Sequence, residues 1–114
     1  MKNLNMETAT KRYNALMADT GYDHRAIGQR YSEGTEGWNL RDMVAECDYV
    51  LSCYYEGGGC NGDMQYSDDP EERKQWRSHT GKLKRFIEAY KPFIETLTCT
   101  ARHCSQFDNK EAKQ

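Results

Sequence analysis

The chain has 114 residues, a formal net charge of −2, a mean hydropathy of −1.03 and 30% charged residues. That length fits one domain, and no window approaches the ~20 consecutive apolar residues of a membrane span. The N-terminal MKNLNMETAT carries no apolar signal stretch, so the expected location is cytoplasmic, with no membrane partner.

The first helix is expected over Met6 to Ala18, where Met6, Ala9, Tyr13, Leu16 and Met17 fall on one face. Asn5 serves as its N-cap, and Gly21 supplies the left-handed turn beyond its end. A short second helix follows Asp23 over His24–Arg30, weakened by Gly28. Residues 32–38 read as a loop.

The third helix starts with Asn39 as N-cap and Asp42 at the third position, where a carboxylate favours the exposed N–H groups. Leu40, Met43, Val44, Cys47, Val50, Leu51 and Tyr54 form the clearest apolar stripe in the chain. It stops at Gly57-Gly58-Gly59, and residues 57–68 read as a loop.

A fourth helix opens with Asp69 as N-cap, Pro70 in the first position, and Glu71 and Glu72 in the first turn. Its seam is Trp76, Thr80, Leu83, Ile87, Tyr90, Ile94 and Leu97, with a kink one turn before Pro92. Residues 106–114 read as a frayed polar tail on a single domain spanning 1–105. The expected fold class is all-α: a small antiparallel bundle of three long helices plus one short helix.

Leu, Ile, Val and Phe make up only about 12% of the chain, low for an ordered domain. Eight Tyr, two Trp and five Met supply the missing apolar area. The expected core is thin and aromatic.

Cys47, Cys53, Cys60, Cys99 and Cys104 are an odd set in a chain without a signal stretch, which argues against a disulfide framework. Cys47 lies on the apolar stripe and is expected in the core. Cys53, Cys60, Cys99 and Cys104 form the weaker alternative of a structural zinc site. Their spacing is looser than a metal knuckle, and an antiparallel pairing would hold the two pairs apart. No cofactor is expected.

Gly57 to Gly62 formally matches a dinucleotide fingerprint but follows a helix where a strand is required. A thiol from Cys60 or Cys104 with His79 or His103 has low specificity for catalysis, and both His24 and His79 read as surface or boundary residues. No enzymatic activity is expected.

Charge is segregated. Residues 31–72 hold eleven acidic side chains and one basic, while residues 73–91 hold seven basic and one acidic. Mutual attraction between the third and fourth helices accounts for part of this pattern. The excess acid, interleaved with tyrosines, fits a recognition patch for a basic partner. Its expected members are Glu33, Glu36, Asp42, Glu46, Asp48, Tyr49, Tyr55, Glu56 and Asp63.

The stretch Asn39 to Gly58, NLRDMVAECDYVLSCYYEGG, resembles segments of small accessory proteins of phages and conjugative elements. That resemblance implies inhibition of a host defence protein, as by anti-CRISPR proteins that occupy an effector's nucleic-acid channel. The expected function is therefore a non-enzymatic protein-binding module, its acidic face imitating phosphate in a basic groove of a host protein. A second copy of the chain stands as a further partner. The first alternative is a nucleic-acid-binding accessory protein using Arg73, Arg77, Lys84 and Lys91, though the acidic pI of 5.9 opposes direct nucleic-acid contact. The second is a small metal-stabilised structural domain.

Overall fold

The computed structural model describes residues 4–28, 35–55 and 61–98. Three α-helices, α1 (Met6–Thr20), α2 (Leu40–Tyr55) and α3 (Pro70–Tyr90), are joined by short 3-10 turns, with no strand among the described residues. Among the described residues all regular secondary structure is helical, as the periodicity implies.

Each helix starts where a polar side chain can satisfy exposed N–H groups. Asn5 Oδ1 accepts from Thr8 N at 3.1 Å, and Asp69 Oδ1 accepts from Glu71 N at 3.0 Å. At α2 the cap is reciprocal: Asn39 Oδ1 accepts from Asp42 N at 3.1 Å, and Asp42 Oδ2 accepts from Asn39 N at 2.6 Å. This is a capping box, with a carboxylate closing it from the third position. Helix α1 ends at Gly21, whose φ of 84° lets its N–H reach Ala18 O while Tyr22 N reaches Met17 O.

The expected short helix is reduced to a 3-10 turn over Asp23–Arg25. Side chains of α1 hold this segment in place of helical bonding. The Tyr13 hydroxyl donates to Arg25 O at 2.7 Å, and the Asn14 amide brackets Ile27, accepting from its N and donating to its O. Part of the expected 57–68 loop is a further 3-10 turn, Asn61–Tyr66, packed against α2 and α3.

Helix α3 runs through Gly81 but ends at Tyr90, without a kink followed by further α-helix. Pro92 has no N–H to carry the α-helical ladder on, and with Lys91 still in right-handed helical geometry the chain continues as the 3-10 turn Lys91–Phe93.

Contacts fix the pairing directions. Arg12 Nη1 donates to Tyr90 Oη and Lys82 Nζ bonds Asp19, so α1 and α3 run oppositely. Arg41 Nη1 donates to Ile94 O beyond the end of α3, whereas Trp76 Nε1 donates to Tyr54 O at the end of α2. These two helices also oppose one another.

The core is aromatic, with Tyr13, Tyr54 and Phe86 its largest fully buried side chains. Phe86 lies 6.2 Å from the Tyr13 ring and 4.8 Å from that of Tyr90, in tilted geometries favoured by aromatic quadrupoles. Phe86 lies off the expected seam yet is fully buried, whereas Leu51 and Ile87 are only partly buried.

Candidate partner-binding surface

Helix α2 is almost entirely enclosed. Every residue from Leu40 to Cys47 is buried, including Arg41, Asp42 and Glu46. The only exposed positions on α2 are Asp48, Tyr49, Ser52 and Tyr55. Asp48, Ser52 and Tyr55 fall at the four- and three-residue spacing of one helical line, with Tyr49 on its flank.

The acidic patch expected from charge counting is therefore divided. Asp42 is enclosed because it closes the cap of α2. Glu46, only 1% exposed, lies 3.6 Å from Arg25 Nε and anchors the segment between α1 and α2. These two carboxylates serve the fold and are withdrawn from the surface. Glu36, Asp48 and Asp63 are exposed, as are Tyr49 and Tyr55. Glu33 and Glu56 lie outside the described residues.

Tyr55 is held in place although 45% exposed. The Trp76 ring meets it edge-on at 5.4 Å and 90°, and the Lys84 ammonium stands 5.2 Å from its ring centroid. Fixing an exposed aromatic in advance removes much of the ordering cost of using it in a contact. Tyr49, 49% exposed, flanks the same stripe, and Tyr66, the most exposed large hydrophobic among the described residues at 78%, ends the adjacent 3-10 turn.

The basic ridge is solvent-facing along most of α3. Lys74, Arg77, Lys82, Lys84 and Arg85 are exposed, as is Lys91 beyond its end, while Arg73 is half-buried and donates to Ser67 O. Lys82 is committed to Asp19 at 3.0 Å.

His79 is buried, against the expectation of a surface or boundary position. Its Nδ1 lies 2.8 Å from the Tyr54 hydroxyl, whose pKa burial pushes up to about 12. The phenol therefore keeps its proton, and the direction of this hydrogen bond follows the tautomer of the His79 ring. Burial also pushes the His79 pKa below its ordinary 6.5; Asp19 opposes that shift and Lys82 adds to it. The unfolded chain consequently binds this proton more readily. Stability should be complete above about pH 6.5 and fall as pH drops from there toward the depressed folded value. His79→Gln should flatten this part of the profile. Thermal midpoints measured across that window, for both proteins, check the difference.

Burial also drives the Cys47 thiol pKa well above its ordinary value, so Cys47 acts as a small core residue. Cys53 is buried too, and Cys60, Cys99 and Cys104 lie outside the described residues. Among the described residues, no group of three or more His, Cys, Asp or Glu is placed to hold a metal, and no helix is long and apolar enough to cross a membrane. Comparison with protein-family models, curated proteins and solved structures gives no match.

Proposed function

We propose that the chain is a non-enzymatic protein-binding module of phage or mobile-element type, inhibiting a host defence protein that handles nucleic acid. The supporting observation is the narrow exposed stripe of α2. A helix otherwise enclosed by the fold presents only Asp48, Tyr49, Ser52 and Tyr55, with Tyr66 and Asp63 on the neighbouring turn. Tyrosine gives a contact large amphipathic area at low entropic cost, and such residues dominate binding energy at interfaces. Asp48, Asp63 and Glu36 supply the charge that steers the face toward a basic groove and imitates phosphate there. Asp42 and Glu46 have no part in it.

A second reading uses Arg77, Lys84 and Lys91, which are exposed at seven-residue intervals along and just beyond α3 and could follow a phosphate backbone. Charge reversal separates the two readings. With a host protein retained by the immobilised chain, Asp48→Lys combined with Asp63→Lys should abolish retention, and wild-type binding should weaken with salt. Arg77→Glu combined with Lys91→Glu should leave retention in place. If only the second pair destroys binding, and the lost partner is DNA or RNA, the acidic face is not the functional one.

A further inference from the structure

Arg12, Ala15, Leu16 and Asp19 of α1 face Lys82 and Arg85 of α3 across an open cleft of about 250 Å³. It lies outside the tyrosine stripe and holds three cations against one carboxylate. That carboxylate is engaged: Asp19 Oδ2 lies 3.0 Å from Lys82 Nζ. The two guanidiniums remain in excess, and no carboxylate of the described residues pairs with Arg12 or Arg85.

The two guanidiniums sit in different surroundings. Arg12 stands 5.1 Å from the Tyr90 ring centroid, and its Nη1 donates to Tyr90 Oη at 3.3 Å. This leaves most of its five N–H donors for other acceptors. Arg85 folds back over Gly81, and its Nη1 lies 3.2 Å from where a Cβ at Gly81 would stand. Glycine is a poor choice inside a helix. Here its bare backbone makes room for the Arg85 guanidinium.

The geometry points to a binding site for a small phosphomonoester of sugar-phosphate size. Two forked guanidiniums suit a phosphate dianion better than a single lysine would. Ala15 and Leu16 give the carbon skeleton an apolar floor, and the Lys82–Asp19 pair offers a donor and an acceptor to hydroxyl groups. Asp19 also repels a second phosphate at that end. At about 250 Å³ the cleft lies below the ~300–1,000 Å³ of pockets for drug-sized ligands, a size that suits a sugar phosphate.

Isothermal titration of the full chain at fixed ionic strength, with ribose 5-phosphate, inorganic phosphate and ribose as probes, tests this site. Saturable one-to-one binding of ribose 5-phosphate is expected, at least about tenfold tighter than inorganic phosphate, with no binding of ribose. Arg85→Gln should weaken it about tenfold or more at an unchanged thermal midpoint. Gly81→Ala should also weaken binding by displacing Arg85, while a better helix former keeps or raises the midpoint. The proposal is overturned if inorganic phosphate binds as tightly as ribose 5-phosphate, if no saturable binding occurs, or if both variants bind like wild type.

Discussion

Glu46→Lys is expected to abolish the cooperative unfolding transition. The position is 1% exposed and 3.6 Å from Arg25 Nε, so the substitution puts two cations side by side where one cannot reach water. Milder variants should show an asymmetry. The Arg25 side chain is 39% exposed and returns to solvent at modest cost, whereas Glu46 cannot. Arg25→Gln strips a counter-ion from an enclosed carboxylate and should cost about 3 kcal/mol, at the low end for a broken buried pair. Glu46→Gln removes the charge along with the pair and should cost about 1–2 kcal/mol. Urea unfolding of the three variants checks the order. Equal, negligible changes would mean that Glu46 is solvated.

Phe86→Ala should cost about 3–5 kcal/mol, because Phe86 is fully buried between Tyr13 and Tyr90 where α3 meets α1. Leu83→Ala should cost about 2–5 kcal/mol for the same reason. Leu51→Ala should cost clearly less, since Leu51 is only partly buried. Denaturant midpoints at unchanged slope measure all three. A loss below about 1 kcal/mol for Phe86→Ala would contradict the described packing.

The parts of this fold legible in the sequence are those set by local chemistry. Asn5, Asn39 and Asp69 each precede an amphipathic run, and each caps its helix because the acceptor and the exposed N–H lie within three residues. Phe86 was less legible because α3 packs on two helices, so its buried arc is wider than a seam spaced for one partner. His79, Thr80, Leu83, Phe86 and Tyr90 are buried together on that arc.

Burial of Asp42 and Glu46 was hidden for a related reason. A carboxylate ordinarily signals solvent, and what encloses Glu46 includes a pairing with Arg25, distant in sequence. The 22–28 segment shows the same limit. Its helical propensity loses to hydrogen bonds from Tyr13 and Asn14, which no local pattern reveals. Within the proposed binding face, Asp48, Tyr49 and Tyr55 could be selected from composition and helical spacing. The placement of Tyr55 against Trp76 and Lys84 is tertiary and emerges only from the fold.

Tyrosine footprinting gives the most direct test of the claim that this exposed stripe is the contact surface. The chain is nitrated alone and in complex with the retained host protein, and modification is read by peptide mass. Alone, Tyr66, Tyr49 and Tyr55 should react, while buried Tyr13 and Tyr54 stay unmodified. In the complex, Tyr49, Tyr55 and Tyr66 should be protected together. Undiminished reactivity at all three in a saturated complex would contradict the account.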